Sequence, residues 1–448
     1  MLHNNIEVIL CTSNFNVQLL SFSIQIATDG KTLRSGNMRK FLNVFFKIAA
    51  CLLLILCTVI MSVITYFNSI MPSNFNVIEG EDFDLPSLRA ISGSGMLNYN
   101  KVSLANKQEG ESETIQLKLY NLIPIKATHI NVISEPGLTP GGTPFGIKLF
   151  TRGVMVIDIN DVQTNGGVVN PARLAGIIKG DVILSIDSNE VSSNEQVADI
   201  IERSNGRSLP VTIKRDANII KSILSPMESS IDGKYKSGIW VRDSSAGIGT
   251  VTYYIQNDYS FAGLGHGICD VDTGKIMPLD SGEVCKVSIN SVLKGQVGTP
   301  GELRGSFASN DSIGTLMLNN EAGIYGVLEE APNSLQPVKL RLKQKIKTGP
   351  AQIISTLDNT GPQQYNINID KIDLNPKTMT KNMMITVTDA TLLAKTGGIV
   401  QGMSGSPIIQ DGELVGAVTH VFVNNPQKGY GIFAENMINF TSKLALCN

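Results

Sequence analysis

The chain has 448 residues, and its composition limits both its fold and its partners. With 37 lysines and arginines against 39 aspartates and glutamates, the formal net charge is −2. That balance lacks the basic surplus typical of nucleic-acid-binding proteins, and the length predicts roughly two to four domains. The 42 glycines and an aromatic content of 6% favour short β-strands joined by many turns.

The first distinctive feature is an apolar run from Ile48 to Tyr66, with no charged residue in 19 positions. Such a run is long enough to cross a bilayer as a helix. Lysines and arginines precede it and carboxylates follow it, so we expect residues 41–66 to form an uncleaved single-pass anchor with a cytoplasmic N-terminus. A cleaved signal peptide is the alternative. Residues 1–37 are either a cytoplasmic extension or the product of a wrongly chosen start codon, because Met38 begins a complete targeting segment.

Residues 67–136 begin as an acidic tether and include one strand-like stretch, ETIQLKLYNLIPI. Residues 137–218 change to a pattern of turn, strand, short helix, strand and hairpin, amphipathic helix and last strand. The block PARLAGIIKGDVILSIDSNEV and the loop at Phe145, Gly146 and Ile147 resemble a PDZ domain of the bacterial protease-associated type. That resemblance implies that the loop binds a peptide, which adds a strand to the sheet. A generic α+β insertion is the alternative.

The chemistry is expected in residues 226–448. The stretch GMSGSP, which begins at Gly402, is followed by two isoleucines, a tight Asp-Gly turn and a returning strand. The glycines allow a sharp turn and the close approach of a substrate carbonyl group. The N–H groups of Gly402 and Ser404 can then converge on an oxyanion, with Ser404 as the nucleophile. The segment resembles the nucleophile segment of chymotrypsin-like serine peptidases.

A serine nucleophile needs a base, and the chain has only four histidines. His266, in FAGLGHGICDVDTG, has small neighbours and stands 138 positions before Ser404, so it is the candidate base. His3 precedes the anchor, His129 precedes the PDZ block, and His420 is expected in the strand after the nucleophile. Spacing leaves the orienting acid open among several aspartates: Asp270, Asp272, Asp311, Asp358, Asp370, Asp373 and Asp389.

Three stretches together resemble the SpoIVB peptidase family: SSAGIGTVTYY, GLGHGICDVDTG and VTDATLLAKTGGIVQGMSGSPIIQDGELVGAVTHVFVNNPQKGYGIF. The resemblance covers the chain from about residue 38 onward. It implies a mainly β protein with a transmembrane helix, an α+β PDZ domain and a C-terminal chymotrypsin-like double β-barrel. It places the nucleophile on Ser404, the base on His266 and the acid on Asp389, 15 positions before the serine. Because that gap is short for the chymotrypsin pattern, Asp270 stays an alternative acid, and a helix N-cap is the structural alternative for Asp389.

The same resemblance implies a role in sporulation. Such proteins lie in the forespore membrane and face the space between forespore and mother cell. There they cleave themselves and a regulatory membrane protein, which releases the processing of a late mother-cell sigma factor. The chemistry needs no cofactor, and neither H-E-x-x-H nor a Cys/His cluster predicts a metal site. The expected partners are therefore peptide or protein substrates, the chain itself and the membrane, without nucleic acid.

Two other functions fit parts of the sequence. An S-x-x-K at 291–294 and K-T-G at 347–349 and 395–397 are parts of penicillin-binding enzymes, but no suitable S-x-N or S-D-N lies between them. Lys395 is a further candidate base for Ser404 in a Ser–Lys dyad. The non-enzymatic alternative is a membrane-tethered PDZ scaffold with an inactive peptidase-like domain. Replacement of Ser404 by alanine separates the two, because only a peptidase loses its role.

Overall fold

The computed structural model describes residues 36–85, 97–99, 104, 106–255, 259–330 and 336–444. Residues 1–35, which make up most of the predicted N-terminal extension and include His3, lie outside the described residues. The chain divides into two compact units, Met1–Ser69 and Ile70–Asn448.

Helix α1, Gly36–Ile70, contains the predicted membrane span. Between Lys40 and Ile70 it is long and apolar enough to cross a bilayer. The helix therefore suggests a membrane anchor near the N-terminus.

The second unit begins with a four-stranded sheet where the sequence predicted a tether with one strand. Its strands are β1 (Asn74–Ile78), β2 (Leu97–Tyr99), β3 (Ser112–Leu119) and β4 (Ile123–Ile133), in the order β1-β4-β3-β2. Strand β1 pairs in parallel with β4, and both bury apolar side chains such as Phe75 and Ile130 in a shared core. The tether prediction missed β1 because its partner lies far along the chain, and periodicity reveals only local order.

The first barrel is a closed ring of six strands. After the short strand β5 (Leu138–Pro140), the ring runs β6-β17-β18-β19-β16-β15, and the β6–β15 pairing closes it. Its core contains Phe145, Leu149 and Phe261. The ring strands are β6 (Pro144–Ile159), β15 (Ile239–Ile255), β16 (Ser260–Gly263), β17 (Leu279–Leu293), β18 (Glu302–Asn320) and β19 (Gly323–Leu328).

The predicted PDZ segment is inserted between β6 and β15. Its main helix, α3, begins after the N-cap Ser193, whose hydroxyl accepts a hydrogen bond from the Gln196 amide, and buries Val197 and Ile201. Strands β12, β11 and β9 extend the sheet from the second half of β6. The elements are β7 (Val162–Thr164), β8 (Gly167–Val169), α2 (Pro171–Leu174), β9 (Val182–Ile186), β10 (Asn189–Glu190), α3 (Asn194–Arg203), β11 (Leu209–Arg215), β12 (Asn218–Leu224), β13 (Met227–Glu228) and β14 (Tyr235–Lys236).

The second barrel is also closed, in the order β20-β21-β22-β25-β24-β23. Alternating burial along β21 shows why these residues form a barrel wall, since one face lines the core and the other meets solvent. The elements are a 3₁₀ turn (Lys343–Lys345), β20 (Gly349–Ser355), β21 (Gln363–Ile372), β22 (Met383–Val387), α4 (Ala390–Thr396), β23 (Pro407–Gln410), β24 (Glu413–Phe422), β25 (Asn425–Phe433) and α5 (Ala434–Leu444). The predicted mainly β fold with a C-terminal double barrel is confirmed.

The predicted peptide-binding loop is wrong. Phe145, Gly146 and Ile147 lie inside β6, which pairs with β15 on one side and β17 on the other. Phe145 and Ile147 are buried in the first barrel. A peptide cannot add a strand here, because both edges of β6 are already hydrogen bonded. The boundary drawn at residue 137 also divides the barrel, since the first half of β6 belongs to it.

Candidate active site

A cleft of about 750 Å³ between the two barrels brings the predicted nucleophile and base together. Its lining includes Ser404 and His266, together with Thr419 and His420 from β24. The part of β15 that precedes Gly249 forms one wall of this cleft.

The turn that carries Ser404 depends on two glycines. Gly402 and Gly405 have φ values of 95° and 96°, in the region that side chains adopt only with strain. A Cβ atom on Gly405 would lie 2.0 Å from the carbonyl oxygen of Thr250. The Thr250 amide in turn donates to the Ser404 carbonyl oxygen at 3.0 Å. The turn therefore packs directly against β15 of the first barrel.

Two amides of the turn are available to an oxyanion. Met403 donates to the Val400 carbonyl oxygen at 3.1 Å and Gly405 to that of Val418 at 2.8 Å. Within the described residues, the N–H groups of Gly402 and Ser404 make no such bond. These are the two donors that the sequence predicted, and backbone donors of this kind stabilise the charge that develops during acyl transfer.

The Ser404 hydroxyl is held away from the base. Its Oγ donates to the carbonyl oxygen of Thr419 at 2.8 Å. No hydrogen bond joins it to His266 in the described part of the chain. To donate to the imidazole, the hydroxyl must first leave the Thr419 acceptor.

His266 follows β16 on a loop that turns sharply at Leu264 and Gly265, whose φ values are 63° and 68°. Its Nδ1 lies 3.0 Å from the carbonyl oxygen of Gly267. Because a carbonyl oxygen can only accept, the neutral ring carries its proton on Nδ1, and Nε2 keeps a free lone pair. Burial lowers the pKa of His266, and the bond to Gly267 opposes that shift. The imidazole is therefore a neutral base near pH 7.

His420 forms the second ring of the site. Its centroid lies 4.9 Å from that of His266, with 37° between the ring planes. Desolvation lowers the pKa of His420 to about 4, and the charges of His266 and Lys381 add to the shift. A neutral ring thus packs on the base, and sequence analysis correctly placed His420 in the strand after the nucleophile but did not predict this contact.

The structure does not bring Asp389 to His266. Asp389 is the N-cap of α4: one carboxylate oxygen accepts from the Leu392 amide at 3.0 Å and the other from the Asn366 amide at 3.2 Å. Because both oxygens are used by main-chain donors, the alternative role as a helix cap is the one observed, and the predicted orienting acid is not in place here.

The reserve acid, Asp270, is also engaged elsewhere. It is buried, pairs with the Arg242 guanidinium and accepts from the Thr273 amide at 2.8 Å. Burial raises its pKa, but the hydrogen bond from Thr273 and the charge of Arg242 outweigh it and lower the pKa overall. Asp272 joins the same Arg242 cluster.

The rival Ser–Lys dyad is wrong. Lys395 pairs with Asp358 at 2.9 Å on the surface of the second barrel and does not line the cleft. Ser291 lies in β17, also away from the cleft.

Sequence reasoning missed the main-chain partners of the site. The carbonyl groups of Gly267 and Thr419 hold the candidate base and the candidate nucleophile, and no residue type signals a carbonyl acceptor. His420 was detectable, since it is one of four histidines and stands 16 positions after Ser404.

Comparisons with known families agree with this geometry. Residues 233–438 match the profile of the SpoIVB peptidase S55 family, and residues 167–215 match that of the PDZ domain. A comparison with curated proteins finds no match.

Several solved structures are weakly similar. The PDZ domain of the SdrC-like protein from Listeria monocytogenes is 22% identical, covers 20% of this chain and 87% of that one, and has a TM-score of 0.17. The active form of the Rv3671c protease from M. tuberculosis is 13% identical over 44% of this chain and 72% of that one, with a TM-score of 0.25. A serine-to-alanine variant of the HtrA-type protease AlgW with a tripeptide is 14% identical over 44% and 55%, with a TM-score of 0.26.

The matched segment, residues 233–438, contains Ser404, His266 and most of the residues that line the cleft. Residues 233–438 are therefore similar to the SpoIVB peptidase S55 family, and the chain is a serine endopeptidase that carries a PDZ domain.

Proposed function

We propose that this endopeptidase signals across the forespore membrane during sporulation by cleaving itself and a regulatory membrane protein. The family match and the apolar helix near the N-terminus support this role. The basic residues before the helix and the acidic residues after it favour a cytoplasmic N-terminus and a peptidase outside. The cut would then release the processing of a late mother-cell sigma factor.

The observation that carries the proposed chemistry is the pairing of Ser404 with a neutral His266 in one cleft. As Ser404 Oγ bonds to the scissile carbonyl carbon, its proton passes to Nε2 of His266. The amides of Gly402 and Ser404 hold the oxyanion. The C–N bond then breaks, and His266 returns the proton to the leaving amine. Water repeats the sequence on the acyl-enzyme and releases Ser404.

Among the residues that the structure describes, no carboxylate makes a hydrogen bond or ion pair with His266. The Gly267 carbonyl selects the tautomer of His266, but a neutral oxygen stabilises the imidazolium less than a carboxylate does. The role of Asp389 as the acid, implied by the family resemblance, requires it to leave its cap on α4. We infer that catalysis proceeds without that step, with the Gly267 carbonyl oxygen holding the base.

The first test follows self-cleavage of the full chain in lipid nanodiscs by mass spectrometry. We expect the wild type to shorten and Ser404→Ala to stay intact. Ser406→Ala is the matched control, because Ser406 lies two positions further along the same turn, is buried, and takes no part in the proposed chemistry. Shortening of Ser404→Ala would contradict the assignment of the nucleophile.

The second test addresses the cellular role. Ser404→Ala replaces the wild-type chain as the only copy in a spore-forming host that carries a reporter for late mother-cell transcription. We expect the reporter to stay silent with Ser404→Ala and to be active with Ser406→Ala. An active reporter with Ser404→Ala would favour the PDZ scaffold instead.

A further inference from the structure

Strand β15 has a long open edge. From Ile239 to Thr250 it pairs with β6 on one side only, and β16 covers its other edge only from Val251 onward. No strand of the described residues covers the remaining edge. Ala246 and Gly247 are exposed, and a Cβ atom on Gly247 would meet nothing within 4 Å. An exposed strand edge invites pairing with another chain, because its N–H and C=O groups lack partners.

The bonds of Thr250 show which residues direct their main-chain N–H and C=O groups toward this open edge. Its amide donates to Ser404 and its carbonyl oxygen accepts from Leu264, both away from β6. Opposite it on β6 stands Pro144, which has no N–H to offer. Along a strand, the main-chain N–H and C=O groups of successive residues point alternately to one edge and the other. The register with β6 is regular from Ser244 to Thr250, so Ala246 also directs its N–H and C=O groups toward the open edge. The same holds for Ser244 and Ile248.

The open edge joins two functional regions. At one end, Ser245, Ala246, Gly247 and Ile248 line the catalytic cleft. At the other end, the strand packs against the PDZ domain. There Ile239 and Val241 contact the PDZ core.

Helix α3 is tied to the same end of the strand. The Asn194 amide at its first turn donates to the Asp243 carboxylate at 2.9 Å, and its buried residues Val197 and Ile201 belong to the core that Ile239 contacts. At about 3.3 Å per residue, the edge spans roughly 30 Å from Ile248 to Ile239.

Chemistry determines which part of a substrate can follow this edge. His266 gives its proton to the leaving amine, so the residues after the scissile bond start beside His266. His266 and β15 belong to the same barrel. A chain that leaves the cleft along β15 moves toward lower residue numbers of that strand. It therefore runs antiparallel to β15.

We propose that the open edge of β15 binds the leaving-group side of an extended substrate polypeptide as an added antiparallel strand and leads it to helix α3 of the PDZ domain. The proposal rests on the proposed peptidase activity and names its substrate requirement. Cleavage is efficient when about eight or more residues in extended conformation follow the scissile bond. The PDZ domain thereby selects substrates by the sequence beyond the cut.

Binding can be measured with the chain's only tryptophan, Trp240, which is 59% exposed on this edge. The probes are synthetic peptides around one site that the wild type cuts in reduced, alkylated casein. One ends three residues after the cut, one ends ten residues after it, and a third is extended by the same length before it. With the full-length Ser404→Ala variant, we expect at least tenfold tighter binding of the second peptide and a change in Trp240 emission with that peptide alone.

A pair of variants tests the added strand directly. Ala246→Pro removes one outward N–H without breaking a β6–β15 hydrogen bond, and Ala246→Val keeps that N–H with a larger side chain. We expect the ratio of kcat/KM between the second and first peptides to fall at least fivefold in Ala246→Pro only. Equal cleavage of all three peptides, or a preference for the third, would overturn the added strand while leaving the peptidase intact. If the wild type neither shortens itself nor cuts any casein site, the proposed function itself fails.

Discussion

At His266, a main-chain carbonyl fills the place usually taken by a carboxylate. The Gly267 oxygen accepts from Nδ1 and leaves Nε2 free for the serine proton. Burial and the neutral ring of His420 surround the imidazole and disfavour its charged form. His266 can therefore accept a proton at Nε2, but its surroundings stabilise the resulting imidazolium poorly.

This environment predicts a pH dependence. Only neutral His266 can act as a base, so activity is present above its pKa and is lost as the pH falls through it. Because burial lowers that pKa from 6.5, the acid limb of kcat/KM should have its midpoint below 6.5. Initial rates on a casein-derived peptide between pH 4 and 9 measure it. A midpoint above 6.5 would show that a carboxylate faces the ring in the working enzyme.

Substitutions of Asp389 can distinguish its role as the N-cap of α4 from a role as the acid that orients His266. Asp389→Ala should destabilise the protein by about 1 kcal/mol through loss of the α4 cap. Asp389→Ser retains a capping oxygen without charge, so we expect it to retain stability and peptidase activity. Thermal unfolding and kcat/KM are measured together. A folded Asp389→Ser protein without activity would mean that the carboxylate reaches His266 during catalysis.

Among the elements, the nucleophile turn shows how the second barrel is coupled to the first. Its geometry is set by contact with β15, since the Thr250 carbonyl oxygen occupies the space that a side chain at Gly405 would need. The turn therefore requires glycine for its φ value and for the approach of β15.

Gly405→Ala should therefore destabilise the protein by about 3 kcal/mol and abolish cleavage, because backbone strain and a main-chain clash act together. Gly412→Ala is the matched control: its φ value is 82°, but no atom lies within 4 Å of the added Cβ. We expect the control to cost about 1 kcal/mol and to keep its activity. Chemical denaturation gives both values. Equal costs would show that the contact with Thr250 is unimportant.

Strand β6 is the element that links the domains. Its first half forms the barrel wall and its second half carries the PDZ sheet. Gly153, with a φ value of 80°, lies between the two halves. The position of the PDZ sheet therefore depends on the barrel strand that precedes it.

At the scale of the second unit, buried polar contacts fasten the N-terminal sheet to the peptidase. Glu435, at the start of α5, is 3% exposed and accepts from the Asn76 side chain at 3.0 Å and the Lys343 amide at 3.0 Å. The Lys343 ammonium group lies 3.5 Å from the same carboxylate. Gln344 adds a bond to the Asn76 carbonyl oxygen at 2.6 Å.

Glu435→Ala should cost about 3 kcal/mol, because it leaves buried donors without an acceptor. Hydrogen exchange should also become faster in β1, which holds Asn76. Asp199→Ala removes only an exposed ion pair with Arg203, so its cost should stay below about 1 kcal/mol. Denaturation and exchange mass spectrometry measure both effects. An unchanged β1 would show that the sheet does not depend on Glu435.

Much of this organisation was predictable because its signals are local. The apolar run identified the helix near the N-terminus, and the glycine-lined turn identified Ser404 without reference to distant residues. The N-cap role of Asp389 was also predictable from a local pattern. The β1–β4 pairing and the division of β6 between two domains were not predictable, since they depend on contacts between segments far apart in sequence.

The sequence by itself determined the apolar helix near the N-terminus, the β-rich class, and the candidate nucleophile and histidine, because charge-free length, turn chemistry and scarce histidines are properties of the chain alone. Only the tertiary structure decided what holds these groups. It assigned Phe145–Ile147 to the barrel, Asp389 to a helix cap, and the Gly267 and Thr419 carbonyl groups to the site. Carbonyl groups occur at every residue, so only packing selects which of them contact a catalytic side chain.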